Sequence, residues 1–175
     1  MRKVILYIAI SVDEYIADAA GSVDWLGGVA PDYQGDYGYG EFAASVDTVV
    51  MGGRTYRQVV GELSPEQWAY EGMTTYVVTH QMLPDQAEIK FINEPAAALI
   101  RRLKQQPGRD IWICGGAEIV GQLLEADLID EYQLSIMPVI LGGGIRLFSE
   151  GRRHLLRLRS SREENGVLTC IYERR

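Results

Sequence analysis

Two pairs of glycines follow apolar segments that are typical of buried strands. Gly115 and Gly116 come directly after residues 111–114 and open into a helical pattern, and Gly52 and Gly53 stand in the same position after residues 48–51. A strand that ends at the start of a helix exposes free backbone N–H groups and the positive end of the helix dipole, and both attract a phosphate. Such a junction also occurs as a simple tight turn, so both interpretations stay open for either pair alone.

Polar side chains extend this pattern to a third strand end. Arg54 and Thr55 follow the first glycine pair, Glu118 follows the second, and Thr79 and His80 end another apolar segment. Ligands of open α/β sheets bind beyond the carboxyl ends of the strands, so three polar ends together predict contacts to the phosphates or ribose of a nucleotide. The competing interpretation is that the glycines serve turn geometry and that Arg54 and His80 are ordinary surface residues.

The sequence lacks the motifs of several other binding and catalytic sites. No G-x-G-x-x-G follows the first strand and no Walker loop occurs, so a nucleotide site must be assembled from several strand ends. The two cysteines and two histidines show no metal-ligand spacing, which predicts that there is no metal site. Cys114 and Cys170 lie inside apolar segments, where a small buried side chain is a better interpretation than a nucleophile paired with histidine.

Composition limits the class of protein. The 175 residues, 47% of them hydrophobic, suit a single domain over residues 1–175. The net charge of −7 argues against a nucleic-acid partner, because such binding depends on Lys and Arg. No segment approaches the roughly 20 apolar residues of a membrane span, and the short apolar segment after Lys3 lacks a signal-peptide cleavage site. We therefore expect a first buried strand there and a cytoplasmic location.

The order of the elements predicts an α/β fold. Strands are expected at residues 3–11, 48–51, 74–79, 89–92, 111–114 and 131–137, and helices at 37–46, 55–60, after an Asn93 cap with Pro95 in the first turn, and after Gly116. Asn165 and Gly166 predict a hairpin between strands 155–162 and 167–173. The prediction is one mixed, mostly parallel central sheet flanked by helices, with a C-terminal antiparallel hairpin. Residues 12–36 are predicted to be a long, functional loop.

Six segments, in order along nearly the whole chain, resemble the dihydrofolate reductase-like family and, within it, the riboflavin-biosynthesis reductase branch (RibD C-terminal domain). The segments are AISVD at 9–13 with YIA at 15–17, VDWL at 23–26, VVMGGRTY at 49–56, ICGGAE at 113–118, LIDE at 128–131 and PVILGGGIRLF at 138–148. The last segment is characteristic of the riboflavin branch. The resemblance implies a dihydrofolate-reductase-like fold, NADPH as cofactor and a homodimer joined through the C-terminal strands.

The resemblance also implies roles for the matched positions. They are Ala9, Ile16 and Trp25 at the nicotinamide; Gly52, Gly53, Arg54 and Thr55 at the phosphates; Thr79 and His80 near the adenosine 2′-phosphate; Cys114, Gly115 and Gly116, with a cis peptide between the glycines, at the pyrophosphate and nicotinamide; and Ala117, Glu118 and Ile119 at the following helix start.

Three positions depart from the family pattern. The arginine of Gly-Arg-x-Thr-Tyr has moved one place to Arg54, and Glu14 stands where the branch often has glycine. Ala30 occupies the place, five residues after Trp25, where true dihydrofolate reductases carry an acid. Asp32 is the nearest acid and the candidate proton donor, ahead of Asp36 and Glu41. The alternative is that all three acids are exposed loop residues.

These observations predict a reductase that transfers hydride from NADPH to a C=N or C=O carbon of a small heterocycle. The branch implies 5-amino-6-(5-phosphoribosylamino)uracil as substrate, and the zinc deaminase signature that often accompanies this reductase is absent. Dihydrofolate reduction is one alternative, and a nucleotide-binding protein of the same fold without turnover is another. Three tyrosines, Tyr33, Tyr37 and Tyr39, are equally compatible with stacking on a planar substrate and with packing at the core edge.

Overall fold

A computed structural model describes residues 1–175 as an eight-stranded sheet in the order β5-β4-β3-β6-β1-β7-β10-β9. The strands are β1 (Val4–Ile10), β3 (Val46–Gly52), β4 (Thr74–Val78), β5 (Ile89–Ile92), β6 (Asp110–Gly115), β7 (Glu131–Ile136), β9 (Leu156–Glu164) and β10 (Val167–Arg174). The six strands from β5 to β7 run parallel, and β10 and β9 are antiparallel. The predicted fold class, with its mostly parallel sheet and C-terminal hairpin, is confirmed.

Helices cover both faces of this sheet. They are α1 (Tyr39–Ser45), α2 (Gly53–Gln58), α3 (Ala96–Lys104) and α4 (Ala117–Glu125), and a π-helical turn at Val59–Leu63 extends α2. Alternation along the strands divides the core: Leu6 packs with α3 and α4, whereas its neighbour Ile5 packs with Phe42 of α1 on the opposite face. None of the helices is long and apolar enough to cross a membrane.

The predicted start of α3 is wrong in detail. Pro95 is the N-cap residue instead of a first-turn residue, and the helix begins at Ala96. The N–H of Ala96 donates 2.9 Å to Oε1 of Gln122 on α4, so a neighbouring helix satisfies this end of α3. Asn93, predicted as the cap, instead forms a 3.0 Å hydrogen bond with His80. The helix buries one apolar face, since Leu99 and Ile100 are fully buried.

The predicted loop over residues 12–36 contains a strand. Strand β2 (Tyr15–Ala17) pairs with β8 (Ile145–Arg146), and the two form a small antiparallel sheet separate from the main one. A two-residue partner so distant in sequence leaves no periodic pattern, which explains why this pairing was missed. The predicted hairpin turn is confirmed, with φ of 52° at Asn165 and 79° at Gly166.

Candidate functional site

A cleft of about 1400 Å³ opens beyond the carboxyl ends of four parallel strands, β1, β3, β4 and β6. Residues from all four ends line it, including Ala9, Gly52, Thr79 and Cys114. Pockets for a single small ligand usually measure about 300–1,000 Å³, so this cleft has room for a dinucleotide and a second small molecule. The parallel sheet thus brings the three predicted strand ends into one space, together with the end of β1.

Glycines let the backbone pass close to neighbouring side-chain hydroxyls in this cleft. A Cβ atom at Gly53 would lie 3.0 Å from the Thr79 hydroxyl, and one at Gly116 would lie 3.5 Å from the Thr55 hydroxyl. The Gly115–Gly116 peptide is cis and Gly115 has φ of 120°, a conformation that a side chain would disfavour. Helices α2 and α4 begin immediately after these glycines, so their free N–H groups face the cleft.

Two arginines of α2 give the cleft its positive charge. Arg54 and Arg57 both line it, both are exposed, and neither makes an ion pair. Several other arginines of this acidic protein do have carboxylate partners, as Arg146 has Glu14 and Arg152 has Asp127. The Arg57 guanidinium and the Thr79 hydroxyl both lie next to Gly53. A Cβ atom built at Gly53 would be 3.5 Å from Arg57 Nη1 and 3.0 Å from Thr79 Oγ1. An anion can therefore meet a guanidinium, a hydroxyl and helix N–H groups together.

Most of the residues predicted to bind the cofactor come together here. The cleft is lined by Ala9, Ile16, Gly52, Gly53, Arg54, Thr55, Thr79, His80, Cys114, Gly116, Ala117, Glu118 and Ile119. Gly115 lies between two of them, at the end of β6.

Sequence reasoning missed several polar residues of the same cleft, among them Arg57, Asn93 and Gln122. Arg57 was identifiable in principle, because it follows Arg54 by three residues and so lies on the same face of a helix. Asn93 directly follows β5, which pairs in parallel with β4, so the strand-end rule could also have found it. Gln122 lies on α4, where it bonds the start of α3, and the spacing of residues in the sequence does not encode that packing.

The inner end of the cleft carries neutral polar groups. The Tyr70 hydroxyl and Cys114 Sγ are 3.4 Å apart, and both residues line the cleft. Burial raises the pKa of the Cys114 thiol to about 11, and burial followed by the neighbouring Cys114 raises the pKa of Tyr70 well above its ordinary value. Both groups therefore remain protonated at neutral pH and offer hydrogen bonds instead of charge.

Trp25, predicted at the nicotinamide, and Asp32, predicted as the proton donor, lie outside this cleft. Trp25 donates a 3.1 Å hydrogen bond from Nε1 to the Ser22 carbonyl and lines a second cavity of about 400 Å³, shared with Tyr33 and Tyr37. Asp32 is exposed and lines neither cavity.

The other loop acids do not line the cleft either. The Asp36 carboxylate accepts hydrogen bonds from the backbone N–H groups of Gly40 and Gly38, which lower its pKa. Glu41 is exposed in the first turn of α1. The structure therefore brings none of the three candidate proton donors to the place where the strand ends meet.

Comparison with known proteins gives consistent matches across the chain. A model of the RibD C-terminal domain family matches residues 2–168. The uncharacterized protein YwjB of Bacillus subtilis (strain 168) is 41% identical over 175 residues, covering 99% of this chain and 98% of YwjB. A Shewanella sp. PV-4 protein, provisionally assigned by name to riboflavin biosynthesis, superimposes with a TM-score of 0.85 and 29% identity over 99% of both chains.

A larger enzyme shares the fold at lower identity. The diaminohydroxyphosphoribosylaminopyrimidine deaminase/5-amino-6-(5-phosphoribosylamino)uracil reductase of Thermotoga maritima matches with a TM-score of 0.73 and 13% identity. The match covers 99% of this chain but 57% of that one, so the chain corresponds to a part of the larger protein.

Proposed function

The chain belongs to the RibD C-terminal domain family, and from this membership and the cleft we propose that it is an NADPH-dependent reductase of a small heterocyclic substrate. One observation carries the proposal most directly. Glycine-rich strand ends, two helix starts and the unpaired guanidinium groups of Arg54 and Arg57 converge on a single cleft. An acidic protein that leaves two neighbouring arginines unpaired in a cleft is suited to bind a polyanion there.

The chemistry of the donor set fits NADPH. In the proposal, Gly52, Gly53 and Thr55 hold the pyrophosphate together with the start of α4, where backbone N–H groups are free. Arg57, beside Thr79, holds the adenosine 2′-phosphate, and the Arg54 guanidinium also faces the phosphates. Arg57 thus provides the phosphate contact that the displaced Arg54 had left in doubt.

The nicotinamide end is assigned to the side of the cleft formed by Ala9, Ile16 and Cys114. NADPH, when bound, supplies the hydride for the reaction. The chain's own residues orient the reactants and exclude water, because apolar side chains of β1 and β2 form one wall and the loop residues Val23 and Leu26 form another. Tyr70 offers a protonated hydroxyl to a polar atom of the substrate.

We propose 5-amino-6-(5-phosphoribosylamino)uracil, or a closely related pyrimidine, as the substrate. Family membership supports this choice, and the Thermotoga maritima protein of the same fold is named for that reduction. Dihydrofolate is less favoured, because none of the loop acids Asp32, Asp36 and Glu41 lines the cleft. A homodimer is part of the proposal: Leu155, Leu158 and Leu168, next to or within β9 and β10, are 57%, 51% and 40% exposed, which suits a partner surface.

The first experiment is titration of the protein with NADPH and NADH, followed by nicotinamide fluorescence and thermal stability. Tight NADPH binding, followed by NADPH oxidation in the presence of the ribosylaminouracil, is the expected result. Oxidation with dihydrofolate alone would replace the substrate assignment. Cofactor binding without oxidation by either compound would favour a non-catalytic nucleotide-binding protein, and absence of cofactor binding would overturn the proposal.

A further inference from the structure

The loop between β2 and α1 (residues 18–38, the β2–α1 loop) covers one end of the cleft, yet it has no helix or strand of its own. Val23 and Leu26 of this loop line the cleft, whereas Val29 at its tip is 73% exposed. Within residues 23–35 only two backbone hydrogen bonds form, from the Leu26 N–H to the Val23 carbonyl and from the Tyr33 N–H to the Ala30 carbonyl, and each closes a local turn. The loop therefore needs an external attachment to stay over the cleft.

Near the start of the loop, the Gln58 side chain of α2 donates 2.9 Å to the Gly21 carbonyl, and the tip of the β9–β10 hairpin provides the attachment further along. The Asn165 side chain accepts a 2.9 Å hydrogen bond from the Ala30 N–H, donates 3.2 Å to the Ala30 carbonyl and donates 2.9 Å to the Tyr37 hydroxyl. The Asn165 carbonyl accepts a further 2.9 Å bond from the Val29 N–H. Asn165 thus binds the loop at three residues, Val29, Ala30 and Tyr37, and its side-chain amide uses both its oxygen and its nitrogen.

The packing around Asn165 shows that the fit is close. A Cβ atom at Gly28 would lie 2.3 Å from Asn165 Nδ2, so only glycine allows the loop to pass so near the hairpin. The Val29 side chain packs against Gly166, and Tyr33 bonds Glu164 through its hydroxyl. Asn165 itself has φ of 52°, a conformation that Asn and Gly adopt more readily than other residues.

We propose that Asn165 is a positioning residue of the cleft: it fastens the β2–α1 loop to the C-terminal hairpin and so holds Val23 and Leu26 at the cofactor's nicotinamide end. The effect on the cofactor rests on the proposed function, whereas the attachment of the loop does not. The sequence does not reveal this role, because an asparagine before a glycine is already explained by the positive φ that a tight hairpin turn requires. The hairpin turn does not need the three side-chain hydrogen bonds to Ala30 and Tyr37, so these bonds indicate a second role.

The test uses Asn165→Gly, which keeps the positive φ of the turn and removes only the side chain. Residues 4–53 contain no Lys or Arg, so loop opening is followed with chymotrypsin, for which Trp25, Leu26, Tyr33 and Tyr37 offer cleavage sites. Loss of three side-chain hydrogen bonds is expected to speed cleavage in the loop about tenfold. The matched control is Glu163→Gln, because the Glu163 carboxylate bonds only the Gly166 N–H within the same hairpin.

Two cofactor probes separate positioning from general destabilisation. NADPH is expected to bind Asn165→Gly about fivefold more weakly, because a smaller fraction of molecules holds the loop closed. Adenosine 2′,5′-bisphosphate lacks the nicotinamide, and its affinity is expected to stay unchanged. Tyr37→Phe is expected to reproduce part of the effect in the natural chain and to add nothing in Asn165→Gly.

Each result decides a separate statement. Unchanged cleavage of the loop in Asn165→Gly overturns the attachment. Faster cleavage with equal weakening of both probes shows a structural role and overturns the positioning role. If the natural chain binds neither probe, the proposed function fails and the cofactor part of this inference fails with it, whereas the cleavage rates still decide whether Asn165 holds the loop.

Discussion

Replacing Arg57 with alanine is the sharpest test of how the cleft selects its cofactor. Arg57 lines the cleft, makes no ion pair and lies beside Thr79 across Gly53. Its removal therefore leaves no buried charge without a partner, and alanine is favourable within the helix α2. The fold is expected to be unaffected, so a change in cofactor affinity reports directly on the anion site.

The expected magnitude follows from the exposure of the side chain. A hydrogen bond to a charged group contributes about 1.5–3 kcal/mol, and an exposed, solvent-screened guanidinium belongs at the lower end of this range. A loss of about 1.5 kcal/mol corresponds to roughly tenfold weaker NADPH binding. NADH lacks the 2′-phosphate, so its affinity is expected to change by less than about twofold.

The assay is a titration of Arg57→Ala with both cofactors, followed by nicotinamide fluorescence at two salt concentrations. Arg101→Ala is the matched control, because Arg101 is also exposed, helical and without an ion pair but lies on α3 outside the cleft. Higher salt should weaken NADPH binding to the natural chain more than to Arg57→Ala. Equal losses for NADPH and NADH, or no loss for either, would refute the assignment of Arg57 to the 2′-phosphate.

Three further predictions concern stability and assembly. Leu99→Ala removes a fully buried α3 side chain and is expected to lower the free energy of unfolding in urea by about 2–5 kcal/mol, whereas Leu83→Ala, at a 42% exposed position, should change it by less than about 0.5 kcal/mol. Partial desolvation of the Asp13 carboxyl raises its pKa, but hydrogen bonds from the Ser11 hydroxyl and two backbone N–H groups outweigh this and lower the pKa to about 2. The ionised carboxylate therefore stabilises the fold at pH values above 3.8, its ordinary pKa. This stabilisation is lost as the pH falls towards about 2. Asp13→Asn should consequently show a smaller fall in melting temperature between about pH 5 and pH 2, and a fall equal to that of the natural chain would contradict this. Leu158→Glu, at a 51% exposed position of β9, should convert a homodimer into a monomer in light scattering, and an unchanged mass would remove β9 from the interface.

The main sheet could be predicted from sequence because its signals are local. Buried parallel strands appear in the sequence as continuous apolar segments. Gly52 and Gly116 mark the ends of two such segments and are the N-cap residues of the helices that follow. The carboxyl ends of parallel strands necessarily meet at one edge, so the separate strand ends could be combined into one predicted site. Arg57 escaped this reasoning because the motif drew attention to Arg54, and the arginine one helical turn further on was not considered.

The covering loop could not be predicted, because its position depends on residues far away in sequence. Strand β2 pairs with β8, and Ala30 is bonded by Asn165 across 135 residues. Neither partner carries a periodic signal, since a two-residue strand and a single turn asparagine are compatible with many folds. A loop whose internal hydrogen bonds are confined to local turns takes the position that its partners impose.

The choice of Asp32 as proton donor shows the consequence for chemistry. Counting residues from Trp25 presumes that the loop follows a fixed path into the cleft, but Asn165 holds the tip against the hairpin and leaves Asp32 in solvent. Asp36 is nearer the fold, yet its carboxylate already accepts the N–H groups of Gly38 and Gly40 at the start of α1, and their bonds favour the ionised form. An acid must be both protonated and within reach of the substrate to donate a proton. Tyr70 is protonated and lines the cleft, whereas Asp32 and Asp36 lie outside it. The path of the loop, and not the spacing from the tryptophan, therefore determines which polar groups reach the cleft.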